Sequence, residues 1–231
     1  MLYYDFHIHS ALSPCGDADM TPNNIVNMAA LSGLNAIAVS DHNSIGNAGA
    51  AIKVGKAIGV AVIPGMEVET EEGVHILTLY PGLDEAKFVA DKVYEALPDI
   101  ENRPEIFGDQ AYMNSDDEIV RYERKLLISP ANMSINTLFD LVLSANGLFI
   151  PAHVDRHSYS ILTNLGFIPD DIDIRSIEIS KAVEDVELYL QNREDLRKYN
   201  IFRNSDAHYL QDIAQKGAYL EVDDIRELFR R

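Results

Sequence analysis

Residues 2–9, LYYDFHIH, form a β-rich run that ends in two histidines. Residues two apart on a strand face the same side, so His7 and His9 can bind one ion together. Four further histidines lie at or near the ends of later predicted strands: His42 after Asp41, His75 after Glu67, His153, and His208 after Asp206. A single histidine in such a place is as often a hydrogen-bonded core residue, but six together favour a metal site. Imidazoles with carboxylates favour zinc, manganese or iron over calcium or magnesium, so the sequence predicts a metal-dependent enzyme.

Short β-rich runs alternate with helical patterns through most of the chain. Strands are predicted at residues 2–9, 35–40, 60–64 with a continuation toward 69, 74–80, 148–152, 174–180, 201–204 and 218–222. Helices are predicted at residues 22–33 after an N-cap at Thr21, 47–58, 84–97, from Ser134 onward, within 183–199, and at the charged C-terminus. Repeated strand–helix units predict a mainly parallel sheet, and seven or eight of them favour a closed barrel. His75 is the exception among the histidines, because it falls at the start of its strand.

Residues 98–133 interrupt this alternation. The segment is acidic, contains three prolines and includes a predicted helix at 115–124. A segment of this length would struggle to build a core of its own. We therefore expect an insertion within a single barrel domain that spans residues 1–231.

The overall composition limits the classes of partner. A formal net charge of −18 argues against nonspecific binding to nucleic-acid phosphates. The net charge does not exclude a phosphorylated substrate, since bound metal ions can reverse the sign of the electrostatic field at the site. The N-terminal residues lack the basic start and apolar run of a signal peptide, and no apolar stretch approaches the roughly 20 residues that span a bilayer. A cytoplasmic location without membrane contact is therefore expected, and the oligomeric state is left open.

The order of these motifs resembles the PHP family, named for polymerase and histidinol phosphatase domains. The resemblance rests on the HxH of the first strand, the SDH after the second, the Glu and His around the third and fourth, the PAH of the fifth and the late SDAH. It covers nearly the whole chain. It implies a distorted, TIM-like (β/α)7 barrel that holds two or three divalent transition-metal ions (Zn, Mn or Fe) at the C-terminal ends of its strands.

The resemblance also implies which residues hold these ions. The implied ligands form three sets, the first two of which share Glu67 as a bridge: His7, His9, Glu67 and Asp206; Glu67, His75 and His153; and His42, His208 and an acid from the first loop.

The loop acid is less directly assigned, because the loop differs from the family pattern. Family members carry SDG shortly after HxH, whereas residues 13–22 of this chain read SPCGDADMTP, which is longer. Counting back from Pro22 selects Asp17. Cys15, the single cysteine of the chain, is the alternative, since a thiolate can also bind zinc; otherwise it is a small packed residue.

Other acids near the ligands are expected to have supporting roles. Asp41 is expected to orient the neighbouring His42 rather than to bind metal. Glu69, Glu71 and Glu72 are expected to form a solvated acidic turn.

The implied activity is metal-dependent phosphoester hydrolysis of a small phosphate monoester or nucleotide by a metal-activated water. Asp206 or His208 is predicted to relay a proton. Arg156 and Lys181 follow the fifth and sixth strands and are predicted to bind the substrate phosphate, with His157 as a further contact. Surface ion pairs are the alternative for these cations.

Two other functions stay open. Related barrel sites hydrolyse C–N bonds, but such a site would need a metal-bridging carbamylated lysine, for which Lys181 is the nearest candidate. A regulatory or structural module could instead bind metal without turnover, and a centre closed to solvent on every side would favour it.

Overall fold

The alternation of strands and helices is present in the computed structural model, which describes residues 1–214, 217–222 and 224–229. The strands are β1 (Leu2–Ile8), β2 (Ala36–Val39), β3 (Ala61–Glu69), β4 (His75–Leu79), β5 (Ala111–Met113), β6 (Ile119–Tyr122), β7 (Leu148–Pro151), β8 (Ser176–Glu178), β9 (Asn200–Phe202) and β10 (Tyr219–Leu220). The α-helices are α1 (Pro22–Leu31), α2 (Ala48–Ile58), α3 (Leu83–Ala96), α4 (Pro104–Phe107), α5 (Ile135–Ser144), α6 (Ile161–Leu165) and α7 (Val186–Gln191). Short 3₁₀ segments occupy Glu194–Leu196, Leu210–Asp212 and Ile225–Phe229.

The predicted helix starts are confirmed at two sites. The Thr21 side chain accepts the Asn24 N–H and Pro22 occupies the first turn of α1, which satisfies a donor that the helix leaves unpaired. Ser134 caps α5 in the same way through the Thr137 N–H. The helix predicted within 183–199 is present as α7, whereas the charged C-terminal segment forms a 3₁₀ turn instead of the predicted helix.

The main sheet has the strand order β10-β1-β2-β3-β4-β7. β1, β2 and β3 are parallel, as predicted, but β4 runs antiparallel to both β3 and β7. The expectation of a parallel β4 is wrong because residues 70–74, with Gly73 at φ 71°, form a turn that is far too short for a parallel crossover. In this register Glu69 pairs with His75, so the start of β4 lies at the same rim as the end of β3.

The parallel pair β8–β9 closes this sheet into a distorted barrel. On one side, the Val154 N–H donates to the Glu178 carbonyl at 2.9 Å, which joins β7 to β8. On the other side, the His9 N–H donates to the Ala207 carbonyl at 2.9 Å, and Ile8 and Ala207 form a parallel bridge between β1 and the segment after β9. In the described part of the chain, β1, β2, β3, β4, β7, β8 and β9 thus curl around the core with β10 paired outside them on β1, which agrees with the predicted barrel.

Residues 98–133 contain a hairpin instead of the predicted helix at 115–124. The Asn114 side chain accepts the N–H groups of Asp116 and Glu118, and Asp117 adopts a φ of 60°, so the chain turns tightly and β6 pairs back onto β5. Branched residues of β6 favour the extended form. The hairpin packs on the first loop, where the Ala111 N–H donates to the Ala11 carbonyl at 2.9 Å.

Apolar helix faces cover the outside of the barrel. Ile25 and Val26 of α1 pack with Ile37 of β2 in one cluster, while Val89 of α3 and Leu138 of α5 belong to a cluster on another side. None of the helices in the described part of the chain is long and apolar enough to cross a membrane.

Candidate metal centre

The Glu67 carboxylate lies at the centre of a ring of imidazoles at the rim where β1, β2 and β3 end. Glu67 is 1% exposed. The histidine nitrogens that surround its oxygens are His7 Nε2 at 3.2 Å, His9 Nε2 at 3.4 Å, His42 Nδ1 at 3.3 Å, His75 Nδ1 at 2.9 Å and His153 Nε2 at 3.1 Å. Five histidines from four segments of the chain therefore converge on one carboxylate, as the predicted bridging role requires.

A second carboxylate completes one side of this ring. Asp206 Oδ1 lies 3.0 Å from His9 Nε2 and 3.4 Å from His7 Nε2. Asp206 and His153 both have positive φ values, of 52° and 32°. Left-handed backbone costs a non-glycine residue of order 1–3 kcal/mol, and such strain concentrates at functional sites. Here the sharp turns after β9 and β7 carry these side chains to the rim.

Hydrogen bonds fix the ring orientations of the first two histidines. His7 Nδ1 donates to the Glu178 carboxylate at 3.0 Å. His9 Nδ1 donates to the Ser13 hydroxyl at 3.0 Å, and that hydroxyl donates in turn to Asp41 at 2.7 Å. Because Nδ1 is the donor to these partners, Nε2 is the nitrogen of each ring that faces the pocket and would bind a metal ion in exchange for its proton.

The donor set fits metal ions. Potential ligand atoms lie within 4.8 Å of one another in three groups of the described residues: His7, His9, Glu67 and Asp206; His42, Glu67 and His75; and His9, Cys15, His42 and His208. Within the same residues, buried His7 Nε2 and His42 Nδ1 have no hydrogen-bond partner. Buried polar atoms are rarely left unpaired, and cations at these positions would satisfy both nitrogens.

The carboxylates and histidines of the cluster shift one another's pKa values. Burial opposes ionisation of Glu67, but the facing histidines hold its pKa well below the usual value. Burial likewise opposes protonation of His9 and His75, but Asp206 and Glu67 raise the pKa of His9 to about 9, and Glu67 and Glu69 raise the pKa of His75 to about 9. Burial and the neighbouring His9 lower the pKa of His208 to about 4. The carboxylates therefore stay ionised, and positive charge is already favoured beside them.

The cluster forms the floor of a pocket with a volume of about 330 Å³. Two side chains flank its opening. Arg156 Nη1 donates to Asp206 Oδ2 at 2.6 Å. The Tyr159 ring stacks on the His75 ring with centroids 4.6 Å apart, and Tyr159 is 51% exposed. A larger cavity of about 710 Å³ lies between α3 and the β5–β6 hairpin, but none of the histidines lines it.

Eight of the nine residues predicted as ligands come together at this pocket, and Asp17 is the one that does not. Asp17 belongs to none of the groups that the described residues form. Its carboxylate accepts the Asp19 N–H at 2.9 Å. Cys15 lies in the third group instead and lines the pocket.

The three residues predicted to bind the substrate phosphate do not lie together. Arg156 lies at the pocket, whereas exposed Lys181 donates to the Asp212 carbonyl at 3.2 Å, outside the residues that line it. His157 is exposed and also lies outside the lining. The roles of all three stay predictions, and the geometry favours Arg156.

Sequence reasoning missed two buried acids. Glu178, in the middle of an apolar strand, contacts His7, and its Oε1 accepts the His153 N–H at 3.0 Å. Glu69 was expected in a solvated turn, but it is 8% exposed and its carboxylate lies 3.8 Å from His75 Nε2. The antiparallel pairing of β3 and β4 explains its burial. Asp41 was expected to orient His42, but through Ser13 it reaches the ring of His9 instead, and the Ser13 hydroxyl accepts the backbone N–H of His42 at 3.1 Å.

Comparisons with known proteins agree with this geometry. The family model described as PHP domain matches residues 5–224. A 5′-3′ exoribonuclease of Haemophilus influenzae is 34% identical over 79 residues, which cover 33% of this chain and only 28% of that protein. The lesion-specific endonuclease of Pyrococcus furiosus has a TM-score of 0.71 at 19% identity over 99% of this chain and 55% of that one. A putative metal-dependent phosphoesterase of Bifidobacterium adolescentis has a TM-score of 0.60 at 18% identity, with 90% and 88% covered.

Proposed function

We propose that this chain, which belongs to the PHP domain family, is a metal-dependent hydrolase of phosphoester bonds whose substrate is a nucleotide or the phosphate-bearing end of a short oligonucleotide. The observation that carries the proposal is the pocket above the histidine cluster, where Arg156 and Tyr159 flank the opening. The Arg156 guanidinium can bind a phosphate, and the Tyr159 ring can stack on a nucleobase.

Arg156 is the group we assign to the substrate phosphate. Its side chain is 40% exposed and its guanidinium already binds one anion, the Asp206 carboxylate. Guanidinium groups bind phosphate through parallel hydrogen bonds. A phosphate that enters the pocket would meet Arg156 on one side and the metal ligands on the other.

Tyr159 is the group we assign to a nucleobase. One face of its ring is covered by His75, and half of the side chain is exposed. Stacking of a base on an aromatic side chain contributes about 1–3 kcal/mol. The names of the Haemophilus and Pyrococcus proteins, an exoribonuclease and an endonuclease, support a substrate that contains nucleotides.

The size of the substrate is limited by charge and space. The net charge of −18 opposes the approach of a long polyanion, and a pocket of about 330 Å³ lies at the small end of the range for small-ligand sites. We therefore favour a single nucleotide or a short chain over an extended duplex.

The residues of the chain have distinct tasks in this reaction. Two or three divalent ions, of zinc, manganese or iron, would polarise the phosphoryl oxygens and lower the pKa of a water molecule. Arg156, which contacts Asp206 Oδ2 at 2.6 Å, moves to the phosphate when substrate binds, and the freed Oδ2 accepts the proton of the attacking water. His208 is the second candidate for that proton, but its Nδ1 is bonded to the Asp206 carbonyl at 2.9 Å, so only Nε2 is available.

The two alternative functions receive less support. Lys181 lies at the surface with Asp212, away from the cluster, which disfavours a carbamylated bridge and hence C–N hydrolysis. The exposure of Arg156 and Tyr159 opens the centre to solvent, which disfavours a purely structural metal. The cytoplasmic location and the single-domain organisation stay predictions.

A substrate panel tests the proposal. The chain would be loaded with manganese or with zinc and offered glycerol phosphate, nucleoside mono- and bisphosphates, short and long phosphorylated RNA and DNA strands, and a DNA duplex. We expect kcat/KM for nucleotides or short strands to exceed that for glycerol phosphate by roughly 10- to 100-fold, since stacking contributes about 1–3 kcal/mol. Tyr159→Leu should remove most of this preference. Equal rates for glycerol phosphate, or a preference for the long duplex, would refute the substrate assignment, and hydrolysis of none of them would refute the activity.

Arg156→Gln tests the phosphate contact. A charged hydrogen bond contributes about 1.5–3 kcal/mol, so we expect kcat/KM to fall by roughly 10- to 100-fold, mainly through KM. Metal content should not change, because Arg156 donates to Asp206 and offers no ligand atom. Arg197→Gln removes an exposed arginine that is paired with Glu187 and serves as the control. An unchanged KM in the Arg156 variant would contradict the assignment.

A further inference from the structure

We propose that the third ion of the centre is held by the Cys15 thiolate together with His42 and His208, in place of a ligand set completed by a carboxylate. This inference rests on the metal centre of the proposed function. His9 belongs to the same group, but we assign its Nε2 to Glu67 and Asp206, which it contacts directly, and its Nδ1 is bonded to Ser13.

The three ligand atoms are close enough to share an ion. They lie within 4.8 Å of one another. Ligands of tetrahedral zinc lie about 2.0–2.3 Å from the ion, so they are separated from one another by roughly 3.5 Å. The rings of His9 and His208 stack with centroids 4.4 Å apart, and those of His9 and His42 lie 4.6 Å apart. Small side-chain shifts would therefore complete the site.

His42 and His208, the histidine partners of Cys15, each have a ring nitrogen that is available to bind a cation. His42 is 6% exposed, and its Nδ1 has no hydrogen-bond partner among the described residues. His208 Nδ1 is bonded to the Asp206 carbonyl at 2.9 Å, which leaves Nε2 for an ion. Cys15 and both histidines line the same pocket. The unpaired His42 nitrogen thus points to a ligand independently of the cysteine.

Two consecutive turns place Cys15 at the pocket. The Ser13 N–H donates to the Ser10 carbonyl at 3.0 Å, and the Gly16 N–H donates to the Ser13 carbonyl at 2.8 Å. A Cβ on Gly16 would lie 2.4 Å from the Ser10 carbonyl oxygen, so only glycine permits this close approach. The loop therefore turns at Gly16, between Cys15 and Asp17.

Asp17 has a different role on the far side of this turn. Its N–H donates to the His208 carbonyl at 2.9 Å, and its carboxylate accepts the Asp19 N–H. Asp17 and Cys15 both line a cavity between the first loop and the β5–β6 hairpin, but Cys15 alone of the two also lines the pocket above the histidine cluster. Asp17 thus supports the backbone of a ligand, while Cys15 supplies the ligand atom.

A thiolate changes the metal preference of the third site. Sulfur ligands favour zinc, cobalt or cadmium, whereas an all-carboxylate and imidazole set also suits manganese. Three protein ligands leave one tetrahedral position open, which is the arrangement of catalytic zinc sites.

Cobalt spectroscopy of the full chain tests the inference. Wild type, Cys15→Ser and Asp17→Asn would be loaded with Co²⁺ without oxygen, and the sulfur-to-cobalt charge-transfer absorption and the number of ions per chain would be measured. Because Cys15 is the single cysteine, any such band has one origin. We expect the band and the full metal count in wild type and Asp17→Asn. Cys15→Ser should lose the band and about one ion per chain.

The outcomes separate this inference from the proposed function. A metal-loaded wild type that hydrolyses nucleotides without showing the band would overturn the cysteine ligand alone, as would loss of an ion in Asp17→Asn only. The band without hydrolysis would support the ligand and count against the activity. A wild type that binds no ion would overturn both.

Discussion

Glu67→Gln is expected to lower kcat/KM by about 10³-fold or more and to remove at least one bound ion. The glutamate carboxylate contacts five histidines, and a neutral amide of the same size cannot bridge two cations. A metal ion supplies several kcal/mol of transition-state stabilisation, and each 1.36 kcal/mol corresponds to a factor of ten in rate. Metal analysis and steady-state kinetics of the same sample would measure both effects.

Glu71→Gln is the matched control for this variant. Glu71 follows β3 in the same turn but is exposed, so its substitution should change neither metal content nor rate. If Glu67→Gln is too unstable to purify, Glu67→Asp keeps the charge and shortens the reach, and an intermediate loss is expected. Full activity with a full complement of metal in Glu67→Gln would exclude the bridging role.

Glu178→Gln is expected to weaken metal binding by about 10- to 100-fold, the range for residues that orient metal ligands. All the groups that the Glu178 carboxylate contacts are donors: His7 Nδ1, the His153 N–H and the Asn204 amide. A glutamine has one accepting oxygen, and its NH₂ would face a donor. The His7 ring would then rotate, or its proton would move from Nδ1 to Nε2. Either change weakens the binding of His7 Nε2 to a metal ion.

The metal dependence of the rate distinguishes this positioning role from a general loss of stability. We expect kcat/KM of Glu178→Gln to recover largely as the metal concentration is raised, because the defect lies in affinity. Glu184→Gln, an exposed acid in the following loop, is the control. An unchanged dissociation constant for the metal would show that Glu178 does not act through His7.

Much of this centre could be predicted from the sequence because its signals are local. Histidines are few, and those of the HxH, SDH and SDAH motifs fall where β-rich runs end. The barrel also followed from repeated strand–helix units, and the closure between β9 and β1 confirms it. The direction of β4 was the exception, although the short interval between Glu69 and His75 contained the information that the two strands form a hairpin.

Other features depend on contacts that sequence spacing does not encode. Counting back from Pro22 favoured Asp17, but the turn at Gly16 decides which loop residue reaches the pocket. Glu178 has no histidine near it in sequence; its one signal is an acid within the apolar strand 174–180. Residues 115–124 were predicted to form a helix because the acidic residues of the turn obscured the preference of the following residues, Ile119–Tyr122, for a strand.

The hairpin formed by β3 and β4 separates the centre into parts that assemble at different stages of folding. Glu67 and His75 are 8 residues apart, whereas His9 and Asp206 are 197 apart. Closing the longer loop costs about 3 kcal/mol more in chain entropy. During synthesis the glutamate–histidine pair can form as soon as the turn has left the ribosome. The Asp206 carboxylate can join this pair only after residue 206 has been synthesised, so a chain truncated before it would keep Glu67 and His75 but lack other groups that complete the coordination of an ion.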